Sequence, residues 1–71
     1  MRFDIYGRFL LDIERTPEGY LVCVVGDEGK RRPSEIVVPP DLPEGEIERY
    51  LDDLLHELGG AGKSIRRIDR P

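Results

Sequence analysis

The sequence predicts an α+β domain: an antiparallel meander of three strands packed on one amphipathic helix, with a fourth strand if residues 64–69 return to the sheet. Three observations predict it. Apolar side chains alternate with period two along residues 3–13, an unbroken apolar run occupies 20–25, and apolar residues recur at spacings of three and four from Ile47 to Leu58.

In the first stretch Phe3, Ile5, Phe9, Leu11 and Ile13 hold odd positions, while Arg2, Asp4, Arg8, Asp12 and Glu14 hold even ones. Because this parity survives Gly7, it reads as one long strand bent or bulged at the glycine rather than as two strands joined by a turn. Tyr6 and Leu10 are the apolar exceptions at even positions. Thr16-Pro17-Glu18-Gly19 sets proline where a turn wants φ near −65° and glycine where the chain reverses, so residues 2–15 and 20–26 should form a hairpin. A second turn falls at Asp27-Glu28-Gly29-Lys30, and Ile36-Val37-Val38 reads as a short third strand stopped by Pro39-Pro40.

Ile47, Tyr50, Leu51, Leu54, Leu55 and Leu58 make one helical stripe. Asp41 followed by Glu44 matches a capping box, Pro43 suits the first turn, and Glu44, Glu46 and Glu48 lie where the helix dipole favours negative charge. Gly59-Gly60 marks the end of the helix. Residues 59–71 then read as a glycine-rich turn and basic tail, from which Ser64 to Asp69 can return as an edge strand on Ile65 and Ile68.

Tyr20-Leu21-Val22-Cys23-Val24-Val25 is apolar on both faces, and one helix can cover only one of them. With the helix seated on Phe3, Ile5, Phe9, Leu11 and Ile13, the other face should display Tyr6 and Leu10 beside one set of the second strand's side chains, taken to include Leu21, Cys23 or Val25, since sequence alone lets either set face inward. An apolar patch of that extent marks an interface. These five residues are the candidate protein interface, to be covered by a second copy in a homodimer or by another protein.

The chain's 71 residues make one domain, and so short a chain buries only about 60% of its unfolded surface, which association with another chain would supplement. The six-residue apolar run is far short of the roughly 18 residues that span a bilayer, and charges at Arg2 and Asp4 interrupt any leader-like run at the start. The single cysteine lies in the apolar run, as a small core residue in a reducing compartment would, so a cytoplasmic location is expected.

Charge is unevenly distributed. The net charge of −4 divides into −1 over residues 1–40, −6 over 41–58 and +3 over 59–71. An acidic balance argues against a protein whose main work is binding the phosphate backbone, since that affinity comes from Lys and Arg. The nucleic-acid alternative would need Lys30, Arg31 and Arg32 to meet Lys63, Arg66, Arg67 and Arg70 in one patch. No aromatic residue interleaves with either cluster to stack on bases.

Catalytic and cofactor signals fail on spacing. Gly59-Gly60-Ala61-Gly62-Lys63-Ser64 resembles a phosphate-binding loop, but Glu57 stands where the consensus needs glycine, and the segment follows a helix instead of a strand. Asp52, Asp53 and His56 sit at helical offsets that would let a metal bridge two turns, although one His with flanking carboxylates on a helix face is more often a local ion pair. Neither Cys23 nor any hydroxyl has a motif that would bring His56 beside it. The expectation is a non-enzymatic chain with no cofactor and no metal.

Four segments, Arg2-Phe3-Asp4-Ile5-Tyr6-Gly7-Arg8-Phe9, Gly29-Lys30-Arg31-Arg32-Pro33, Ile36-Val37-Val38-Pro39 and Tyr50-Leu51-Asp52-Asp53-Leu54-Leu55-His56-Glu57, together resemble a family of short bacterial proteins of unknown function. The resemblance covers most of the chain and implies no activity, ligand or catalytic residue. In topology the chain is also similar to small antitoxins with a three-stranded sheet and one helix. Their glycine-tyrosine strand pattern is absent here, and likeness of fold assigns no function.

Overall fold

The chain reverses at Tyr6 and Gly7, so the first alternating stretch is two strands, β1 (Arg2–Ile5) and β2 (Phe9–Thr16). The structure, a computed structural model, describes residues 1–59 and 64–68. Its further strands are β3 (Gly19–Val25), β4 (Arg31–Pro33) and β5 (Ile65–Arg67), and its α-helix is α1 (Ile47–Leu55). The described strands form one antiparallel sheet in the order β4-β3-β2-β1-β5. The fold is α+β, with five strands where three or four were expected.

Parity explains why one long strand looked right. Ile5 pairs with Phe9 across a loop of Tyr6, Gly7 and Arg8. A three-residue loop between opposed residues leaves every odd position on the same face, as a continuous strand would. Alternation alone cannot distinguish the two. The reversal is held by Arg8 N–H donating to the Ile5 carbonyl at 2.9 Å and Gly7 N–H donating to Asp4 Oδ1 at 3.0 Å, with positive φ at Tyr6 (55°) and Gly7 (71°).

Pro17 and Glu18 make a two-residue turn closed by the Thr16–Gly19 pair, which aligns β2 with β3 over seven residue pairs. After a 3₁₀ turn at Asp27–Gly29, with Glu28 in the left-handed region, β4 pairs back onto β3. The third strand is therefore Arg31–Pro33 and not Ile36-Val37-Val38. The latter segment lies outside the strands, with Val38 buried in the core while Val37 is 72% exposed and gives its carbonyl to the Tyr50 hydroxyl at 2.7 Å.

A 3₁₀ turn at Glu44–Glu46 leads into α1, and another at His56–Leu58 leaves it. The helix start carries no side-chain cap, so the Asp41–Glu44 capping box does not form. Gly59 exits in extended conformation, with φ −83° and ψ 157°. Glycine is needed there for space, since a Cβ would stand 3.0 Å from the Tyr6 ring.

Helix α1 seats Ile47 and Leu51 on Phe3, Ile5, Leu11, Ile13, Val22, Val38 and Ile65, with Tyr6 closing one end of this core. The chain from β4 to α1 crosses the β2–β3 hairpin at Gly19, whose φ is +142° and whose added Cβ would meet Pro40 Cβ at 2.9 Å. No helix among the described residues is long and apolar enough to cross a membrane. Because Gly19→Ala imposes both a left-handed backbone and a clash with Pro40, we expect it to lower unfolding free energy by about 1–3 kcal/mol, read from a reduced urea midpoint at unchanged slope.

Candidate functional site

Pairing register decides which side chains share the face turned away from α1. Leu11 opposes Val24 and Ile13 opposes Val22, which puts Val22 and Val24 on the helix side. Leu21, Cys23 and Val25 therefore point the other way, in line with Glu14, Asp12 and Leu10 of β2.

This open face is arranged in levels. One level runs straight across all five strands as Arg66, Asp4, Leu10, Val25 and Arg31. The next runs Arg2, Asp12, Cys23 and Pro33, and a third holds Glu14 and Leu21. Apolar side chains thus cluster around β3, and charges around β1 and β2. Leu21 is 48% exposed, and Leu10, Cys23 and Val25 are half-buried.

The charges neutralise one another. Arg2 binds Asp12 through two hydrogen bonds, Nε to Oδ1 at 2.7 Å and Nη2 to Oδ2 at 2.9 Å, the bidentate geometry that fixes a guanidinium. Arg31 Nη1 donates to Glu14 Oε1 at 2.9 Å and stands 3.7 Å from Asp12 Oδ2, while Arg66 lies 3.6 Å from Asp4. The hydrogen bond from Arg2, aided by the charge of Arg2 and Arg31, holds the Asp12 carboxyl below its usual range against the opposing effect of burial. Met1, Arg2, Asp12, Glu14, Arg31 and Ile68 line a shallow depression of about 420 Å³ on this face.

Each sheet edge carries one obstacle to strand addition. On β5 the Arg67 N–H donates to Glu48 Oε1 of α1 at 3.1 Å. On β4 Pro33 has no N–H to offer.

The candidate interface residues separate into two places. Leu10, Leu21, Cys23 and Val25 lie together on the open face, whereas Tyr6 is only 4% exposed and belongs to the core. Its left-handed backbone releases it from strand alternation, and its hydroxyl donates to Asp52 Oδ1 at 2.6 Å.

The candidate basic patch does not assemble among the described residues. Arg31 and Arg32 are on one edge strand and Arg66 and Arg67 on the other, four strand spacings apart, or roughly 19 Å. Lys30 sits in the exposed turn before β4, and Lys63 and Arg70 lie outside the described residues. The residues 60–63 of the glycine-rich segment also lie outside them. At the proposed metal offsets, Asp52 Oδ1 is engaged by Tyr6 and His56 Nδ1 lies 3.2 Å from the Asp53 carbonyl; no cluster of three or more His, Cys, Asp or Glu able to hold a metal occurs among the described residues.

Sequence reasoning missed Arg2, Asp4, Asp12 and Glu14 as members of the face. The signal was present as opposite charges at even positions of β1 and β2, which become cross-strand pairs once the chain reverses between them.

The Tyr6 phenol is pushed up to about 12, first by its hydrogen bond to Asp52, then by burial and by the nearby Asp52 and Asp53 charges. The fold thus holds this proton more tightly than the unfolded chain, whose phenol titrates near 10.0. The resulting stabilisation is complete below that value and is lost as pH rises from about 10 to about 12. We expect ultraviolet phenolate titration to lose its most alkaline step in Tyr6→Phe, and Asp52→Asn to move that step to lower pH.

No curated protein and no solved structure matches the chain. A family model does, over residues 1–69, described as Domain of unknown function (DUF7661). A match spanning both sheet edges, the helix and the open face places this chain in the DUF7661 family of domains of unknown function.

Proposed function

We propose that the chain is a non-enzymatic protein–protein interaction module whose docking surface is the sheet face opposite α1. The observation that carries this reading is the partly exposed apolar cluster of Leu10, Leu21, Cys23 and Val25, set beside charges that already neutralise one another. Burying such a face removes apolar area from water without stranding an unpaired charge. The obstacles at Arg67 and Pro33 support docking by the face over addition of a strand. A lone cysteine on that face suits a reducing, cytoplasmic setting, where it stays a thiol.

The nucleic-acid reading has less support, because the described arginines of the basic clusters lie at opposite edges, and Arg31 and Arg66 pair with acids. Salt separates the two readings. We expect binding of the chain's protein partner to persist from about 50 to 200 mM salt, where phosphate binding through 6–10 contacts falls roughly 10³- to 10⁵-fold. We also expect Leu21→Asp and Leu10→Asp to weaken that binding at least tenfold while the circular dichroism of the fold is retained. Unchanged binding in both variants sinks the reading.

A further inference from the structure

We propose that the occupant of the open face is a single amphipathic helix presented by another protein, laid along β3 opposite α1. The inference rests on the docking face proposed above and names the class of partner.

The apolar part of that face has the shape of a stripe. Leu21, Cys23 and Val25 follow one another at every second residue of β3, with Leu10 of β2 beside Val25 and Pro33 of β4 beside Cys23. Four residue steps of about 3.4 Å make the stripe roughly 14 Å long, and the strands on either side of β3 lie about 10 Å apart. Its borders are charged and engaged with one another, since Arg31 holds Glu14 and Arg2 holds Asp12. A helix is about 10–12 Å across and rises 1.5 Å per residue, so roughly nine or ten residues of one helix cover the stripe. The same sheet already shows that scale on its other side, where the nine residues of α1 seat Ile47 and Leu51, one turn apart, in the core.

Two observations separate a helix from the other forms a polypeptide partner can take. The first is area. Five strands at about 4.8 Å spacing and about six residues in length give a face of roughly 20 by 20 Å. That is about half of the ~800 Å² each partner contributes to a standard interface, which suits one element of a partner better than a broad globular surface.

The second is where a partner's backbone hydrogen bonds can go. An extended segment needs a ladder, and here the Arg67 N–H is taken by Glu48 while Pro33 has none to give. Laid across the face instead, such a segment would set its own N–H and C=O groups against the aliphatic side chains of Leu21 and Val25, which answer neither. A helix closes those bonds within itself and so buries the stripe without orphaning backbone groups. Its apolar residues should recur at spacings of three and four. Its flanks should carry both signs of charge, because on the open face Arg2, Arg31 and Arg66 balance Asp4, Asp12 and Glu14.

The test is a display selection of random peptides of about 14 residues on the purified full chain, followed by circular dichroism of the enriched peptides as they bind. The expected winners lack internal proline, carry apolar residues at spacings of three and four, and gain helicity on binding. Leu21→Asp, at a residue 48% exposed, and Leu10→Asp should each weaken them at least tenfold with the fold's circular dichroism retained. In the unsubstituted chain the methyl signals of Leu10, Leu21 and Val25 should shift during titration while that of Leu54 stays. Winners that alternate with period two or hold internal proline, and gain no helicity yet still require Leu21 and Leu10, overturn the helix and leave the docking face standing. An absence of enriched peptides does the same. Winners that bind both variants undiminished and leave the Leu10, Leu21 and Val25 methyl signals unmoved overturn both.

Discussion

One helix covers one face of a sheet, and the arrangement of this protein follows from which face it takes. Ile47 and Leu51 of α1 meet Phe3, Ile5, Leu11, Ile13 and Val22, and these side chains are all but inaccessible to water. Among the described residues these side chains belong to one core cluster. The reversal at Tyr6–Gly7, the crossing of Gly19 by Pro40 and the seating of the Tyr6 ring on Gly59 each serve to bring a further segment over the same side of the sheet. The opposite side receives none of them.

The charges on that side are paired. Its apolar cluster is smaller than the unbroken run 20–25 suggests, because half of β3 is spent on the core, and its neighbours Asp12 and Glu14 hold Arg2 and Arg31 beside the remainder. Exposed ion pairs of this kind add little stability. Their consequence is for recognition: a neutral, mixed surface accepts another polypeptide surface more readily than it attracts a polyanion, and it disfavours contacts that leave a charge unmatched. The edges add a second restriction, since Glu48 caps β5 and Pro33 blunts β4.

Much of this architecture was legible in the residues. The helix, the Pro17-Glu18 turn and the return of the chain through Ile65 are direct consequences of spacing and turn chemistry, although of the helical stripe Ile47 and Leu51 are buried while Leu54 and Leu58 stay exposed. What alternation could not reveal was the turn at Tyr6, because a three-residue loop preserves parity; with that turn hidden, the strand count fell short and Tyr6 was assigned to the wrong side. Ile36-Val37-Val38 has the composition of a strand, yet β3 takes its edge partner earlier, at Arg31–Pro33, and leaves Val38 to the core. The basic patch failed for a topological reason. Two clusters distant in sequence lie on the two outer strands, and only the strand order says that these are at opposite edges.

The central claim is that the sheet face away from α1 is the surface this protein uses. Methyl NMR with an inert paramagnetic cosolute tests it residue by residue, because relaxation of each methyl reports its access to solvent. At low concentration Leu10, Leu21 and Val25 should respond together with Val37 and Leu54, while Leu11, Val22 and Leu51 are spared. On addition of the chain's protein partner, the account predicts that Leu10, Leu21 and Val25 become protected while Val37 and Leu54 stay accessible. Protection of Val37 and Leu54 instead, with Leu10, Leu21 and Val25 still open to the cosolute, would place the interface on the helix side and contradict it.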